Sequence, residues 1–234
     1  VSEELTQASK TAFRALVRSD RVRFVTGIGV VFHLLSTLLL LRSRNATQVP
    51  EFVYFLGFVP IVILATVTQA NTFGTDRGAT LTAFCSPIAP ERYCRGRAAA
   101  AVAWSLTTLA PGWLLGLAFA RSRFAPVLLL EFAVMLVLAV AGEMLAVLAP
   151  SSRSYTRMVG QTMSLSVQVP FNLVSLAAIV AASRFLAGSA GHRAVIAAAC
   201  TALALLLWLV AQPMAGRLFR ARREAILNVL RLVP

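Results

Sequence analysis

Six long apolar runs constrain this chain more than any other feature: Phe24–Leu41, Phe52–Ala70, Ala98–Ala120, Phe124–Ala149, Ser164–Ala187 and Ala194–Gln212. A helix needs about 20 such residues to cross about 30 Å of hydrocarbon at about 1.5 Å per residue. Open strands are excluded, because in lipid they leave backbone groups unpaired. The expected fold class is an all-α integral membrane protein with six transmembrane helices. Composition agrees, with 58% hydrophobic and 13% charged residues, against about 45–50% and about 25% in soluble domains. Gln168, Pro170 and Asn172 predict polar or irregular first turns in the fifth run.

A formal net charge of +13 marks a phosphate binder only where a water-exposed basic face exists. A chain this apolar has little such surface, so no nucleic-acid partner is expected. Basic residues gather instead where a membrane protein meets the cytoplasm and its anionic lipids. With the N-terminus inside, that side holds Lys10, Arg14, Arg18, Arg21, Arg23, Arg77, Arg92, Arg95, Arg97, Arg153, Arg157, Arg217, Arg220, Arg222, Arg223 and Arg231. The other side holds Arg42, Arg44, Arg121, Arg123, Arg184 and Arg193. The expectation is a multi-pass protein of the cell membrane with both termini cytoplasmic. No cleavable-leader pattern precedes Phe24.

Both ends predict amphipathic helices lying in the headgroup plane. Near the start, Lys10, Arg14, Arg18 and Arg21 form a basic stripe, with Ala12, Phe13, Leu16 and Val17 towards another side. Near the end, Arg217, Arg220, Glu224 and Arg231 oppose Leu218, Ala225, Ile226, Val229 and Val233. The chain reads as a single transmembrane domain over 1–234: an interfacial helix at 1–23, a six-span bundle at 24–212 and a basic tail at 213–234.

The stretch 71–97, NTFGTDRGATLTAFCSPIAPERYCRGR, interrupts the bundle. It runs 27 residues, where a plain helix–helix connector takes about 2–8. Thr75 or Asp76 can cap a helix start, Ala79, Leu81, Ala83 and Phe84 form a short apolar-periodic piece, and Pro87 and Pro90 stop it. A basic turn follows at Arg92-Tyr93-Cys94-Arg95. The pattern predicts two short helices on the cytoplasmic membrane face.

Here the sequence resembles a family. Asn71-x-Phe73-Gly74-x-Asp76-x-Gly78, then Ser86-Pro87-Ile88, then Gly96-Arg97 entering the next span, look like the loop of ABC-type exporter permeases of the type-two membrane-domain superfamily. The Asp-to-Gly spacing is one residue shorter than in that pattern. A second echo, Gly142-Glu143 through Pro150, is similar to the family's exit from the fourth span, with Glu143 and Ala146 standing where the pattern has Asn and Ser. The resemblance implies a coupling helix in 71–97 that docks into a separate nucleotide-binding ATPase subunit, with Phe73, Gly74, Asp76, Arg77 and Gly78 as docking residues and Arg92 and Arg95 as neighbours. It also implies pairing with a second permease copy or homologue. ATP and Mg²⁺ then belong to the partner subunit, and this chain binds no cofactor.

The residues themselves carry little other chemistry. A phosphate-binding loop needs glycines before its Lys; the sole lysine, Lys10, has none, so the chain is not expected to be an enzyme by itself. His33 and His192 lack metal-ligand spacing and read as packed or loop residues. No metal site is expected from Cys85 and Cys94, which have no histidine nearby. Glu131 and Glu143 lie in the fourth run, and intramembrane acids are functional candidates. Set about 120° apart on the helix and about 18 Å along it, they cannot form a dyad. Glu131 is expected to pair with Arg184, and Glu143 to snorkel or cap the loop near the cytoplasmic end. Gly27 and Gly29 are candidates for close helix approach. The tryptophans read as lipid-facing or packing residues. An ion-coupled secondary transporter and a membrane enzyme are the alternatives. Against the first, the sequence offers no repeat and no midplane charge pair; against the second, it offers no nucleophile or metal cluster.

Overall fold

The computed structural model describes residues 2–43, 50–70, 89–149, 165–187 and 192–231. Every element among them is a helix: α1 Ser2–Arg18, α2 Asp20–Arg42, α3 Glu51–Ala65 with a π-helical extension Thr66–Ala70, α4 Pro90–Leu148, α5 Leu165–Ala187, α6 Arg193–Ala221 and α7 Arg223–Arg231. Six segments are long and apolar enough to cross a membrane: Val22–Arg42, Glu51–Thr68, Arg92–Ala120, Arg123–Leu148, Val167–Ala187 and Arg193–Ala221. This is the make-up of a multi-pass membrane protein, and each span overlaps one of the apolar runs.

The third and fourth spans are two arms of α4. Ala120 breaks the helix with φ −148° and ψ 42°. A straight helix would hold Trp113 and Glu131 about 27 Å apart, yet their side chains touch at 2.5 Å, so the arms fold back on each other. The reversal is tight. A Cβ added at Gly116 would fall 2.5 Å from the Phe124 ring, and only glycine lets the arms close so near the turn.

Proline does not break the other spans. Pro170 lies in the second turn of α5 and forfeits the bond to the Ser166 carbonyl, yet the helix continues through Gln168 and Asn172. The first turns there are polar, as expected, and helical rather than irregular. At the end of α3 the hydroxyls of Thr66 and Thr68 donate to the carbonyls of Val62 and Leu64 at 2.7 and 2.8 Å, beside the switch to π geometry. Such back-bonding bends helices.

Ser19 separates α1 from α2, and its hydroxyl accepts from the Val22 N–H at 3.4 Å, capping the first span. The α1 side chains Ala12 and Leu16 are buried while Lys10, Arg14 and Arg18 are exposed. Leu16 packs with Val22, Val67 and Ala101, and Phe13 meets the Trp104 ring edge-on at 5.5 Å. The first three spans thus end together against α1. The same end of the bundle receives the C-terminus: Tyr93, Ala146 and Val147 cluster with Phe219 and Ile226, and the Arg222 guanidinium donates to the Leu148 carbonyl. This end is the terminal face. At the opposite rim, Arg184 reaches Glu51, and Leu41, Tyr54, Ala120 and Arg123 line one cavity.

Between these ends the core is built from Phe58, Ile61, Leu64, Leu109, Leu136, Leu138 and Phe171. The fourth span is the most enclosed, and α6 the least. Leu203, Leu206, Leu209 and Val210 of α6 are exposed, a surface suited to lipid or another membrane helix.

Candidate functional site

The fourth span brings its two acids into two different polar clusters. Glu131 lies about 12 Å along the helix from Arg123, at 1.5 Å per residue. Its Oε2 accepts from the Trp113 indole N–H at 2.5 Å and stands 3.9 Å from His33 Nε2. His33 and Glu131 are each only 1% exposed. The groups come from the first, third and fourth spans, and two glycines make room for them. A Cβ at Gly57 in α3 would meet Glu131 Oε1 at 3.1 Å; one at Gly112 would meet His33 Cδ2 at 2.3 Å, His33 Nε2 at 2.6 Å and Thr37 Oγ1 at 3.1 Å. The carboxyl therefore lies against the backbone of α3, and the imidazole against that of α4.

This cluster is under-satisfied. Among the described residues neither ring nitrogen of His33 makes a hydrogen bond, nor does the buried Thr37 hydroxyl one turn further on. The Leu109 backbone is the other polar neighbour of the imidazole. Ser36 satisfies itself, donating to the His33 carbonyl at 2.9 Å. An unpartnered buried polar group costs about 1–3 kcal/mol, and an acid at the centre of a spanning helix about 2.5–3.5 kcal/mol on insertion scales. Leucine would serve packing better at these positions.

Glu143, one residue past Gly142 and about 7.5 Å from the Leu148 end at 1.5 Å per residue, belongs to the terminal-face half. It is buried, and the loop that it is expected to cap lies outside the described residues. Its Oε2 accepts from Gln212 Nε2 of α6 at 2.8 Å, and the buried Arg97 guanidinium acts on it electrostatically. Arg97 itself lines a small cavity with Leu16, Ser19 and Thr68, and its Nη1 has no hydrogen-bond partner among the described residues.

The expected Glu131–Arg184 pair is not formed. Arg184 Nε lies 3.6 Å from Glu51 Oε1, with side chains 75% and 49% exposed; the long guanidinium stem reaches the rim rather than the interior. Residues Phe73, Gly74, Asp76, Arg77 and Gly78 lie outside the described residues. Arg92 and Arg95 do not form a separate basic turn on the membrane face. Pro90 occupies the first position of α4, where proline starts a helix rather than stopping one, so both arginines ride on the extended third span. Likewise Arg217 and Arg220 belong to α6, which ends before Arg222, with Glu224 on the separate α7.

Sequence reasoning missed the His33–Glu131 proximity, for which a span-one histidine offered no spacing signal. It also missed Trp113 and Trp104 as donors, the latter to Thr26 Oγ1 at 2.9 Å. Of the two glycines it singled out, Gly27 faces open space and Gly29 makes ordinary contacts with Leu64 and Thr108. No group of three or more acidic, histidine or cysteine side chains able to hold a metal occurs among the described residues.

Among the described residues, fold and site together define an all-helical chain with six helices long and apolar enough to cross a membrane and two buried polar clusters on one of them. Comparison with protein-family models, curated proteins and solved structures gives no match.

Proposed function

We propose that the chain is the membrane-spanning permease subunit of an ATP-driven exporter in the cell membrane. It forms half of the translocation pathway with a second copy or a homologue, and couples to a separate nucleotide-binding ATPase subunit that carries ATP and Mg²⁺. In this reading α1 and α7 are interfacial helices on the cytoplasmic side, and 71–97 contains the docking elbow. The observation that carries it is the motif-bearing segment 71–97, whose last residue Arg97 lines one cavity with Thr68, just before the segment, and α1. An elbow anchored so closely transmits a push from its docked partner into the second and third spans as a rigid body. The excess of basic side chains at the terminal face supports a cytoplasmic assignment of that face.

The test is recovery of the ATPase subunit with the affinity-purified chain. Wild type retains it, and Asp76→Ala with Arg77→Ala lowers recovery about tenfold or more, a loss of at least roughly 1.4 kcal/mol of docking energy. Unchanged recovery would overturn the coupling assignment. A second reading, transport driven by an ion gradient without nucleotide, draws on the His33–Glu131 proximity; nucleotide-independent transport in vesicles would favour it.

A further inference from the structure

The Glu131 cluster combines a buried acid, a buried imidazole and unpartnered polar atoms with no room for a solute. The position of a Cβ at Gly112 is already taken by the His33 ring and Thr37, and Gly57 is similarly close to the carboxyl. A ligand that suits such a site must need almost no volume. We infer that His33 and Glu131 form a proton-binding site within the membrane, holding one exchangeable proton between His33 Nε2 and Glu131 Oε2.

The geometry supports transfer between them. At 3.9 Å the atoms stand about 1 Å beyond a good hydrogen bond. A small slide of the fourth span along the first would close the gap, and the proton would then leave Nε2 for Oε2 or return, with no other group consumed. Trp113 donates to the same oxygen, so it fixes the carboxyl's orientation without supplying a proton. Among the described residues other charged groups face elsewhere. On α3, Tyr54 faces Arg123 and Arg193 and Glu51 faces Arg184 of α5. On α4, Glu143 is taken by Gln212 of α6. From α2 the remaining polar neighbours are Ser36 and Thr37, which do not titrate in the accessible range. Apart from the Leu109 backbone beside the imidazole, the proton answers to the pair. The inference holds whether nucleotide or a gradient supplies the energy, so failure of the permease assignment leaves it standing.

The chain has two histidines, so ¹⁵N-histidine labelling of the full-length His192→Gln protein in lipid nanodiscs reports His33 alone. We expect its ring signals to change with pH in one step. Glu131→Gln should shift that midpoint by at least tenfold in proton affinity. A His33 signal that never titrates, or one indifferent to Glu131→Gln, would overturn the site. Should that variant fail to fold, His33→Gln provides the second arm. The infrared carbonyl band of protonated Glu131 should then move its midpoint by a similar factor, and an unmoved band would overturn the proposal equally.

Discussion

The two acids of the fourth span share one helix and differ in company. Glu143 has a hydrogen-bonded amide and a buried guanidinium acting on it, near the face where both termini gather. Glu131 has an indole donor and an imidazole just out of reach, deeper in the bundle and among atoms without partners. The first arrangement joins the fourth and sixth spans through a made hydrogen bond, although Arg97 Nη1 and Gln212 Oε1 beside it have no partner among the described residues. The second is left incomplete, and incompleteness at that depth is expensive unless something is exchanged there.

The largest effects are expected at the Glu143 cluster. Glu143→Leu strips the buried Gln212 amide of its acceptor and Arg97 of a nearby negative charge, and Arg97→Met removes that neighbour from Glu143. Each should cost about 1–3 kcal/mol, as for a buried polar group left without its partner. The double variant should cost less than the sum of the singles, measured as unfolding in mixed micelles. Strict additivity would show that the two groups do not interact.

Gly112→Ala comes next, because its Cβ must displace the His33 ring; about 1–3 kcal/mol of overpacking strain is expected. Gly27→Ala, with open space around it, should be neutral or stabilising by up to about 1 kcal/mol. Equal effects at the two glycines in thermal unfolding would mean the slot around His33 is looser than described. Trp113→Phe, which strips Glu131 of its donor while keeping an aromatic ring, should cost about 1–2 kcal/mol, the lower half of the range for such an acceptor. The smallest effect belongs to Arg184→Gln. Its exposed pair with Glu51 should be worth less than about 1 kcal/mol, and a larger loss would return Arg184 to the interior.

The spans were legible in the sequence because hydrocarbon thickness sets both their length and their apolarity. Side-chain rotation about each helix axis was not, since spacing leaves tilt and rotation open. That is why Glu131 was matched to Arg184, a charge at comparable depth, rather than to His33. The slot glycines were equally hidden: Gly57 and Gly112 look like any glycine in a span until a neighbouring helix shows what fills the missing Cβ. Pro90 could be read either as a stop or as a first helical residue, and only the continuity of α4 decides it. Residues 71–88, which hold most of the family resemblance, lie outside the described residues.

The central claim, a cytoplasmic elbow seated in a separate motor, meets its most direct test in side-specific labelling. With Cys85, Cys94 and Cys200 replaced by serine, a single Thr75→Cys is exposed to a membrane-impermeant maleimide in right-side-out and inside-out vesicles. The account predicts labelling in inside-out vesicles alone, and strong protection there once the ATPase subunit is bound. Labelling from the exterior, or labelling that the bound ATPase leaves unchanged, would contradict it.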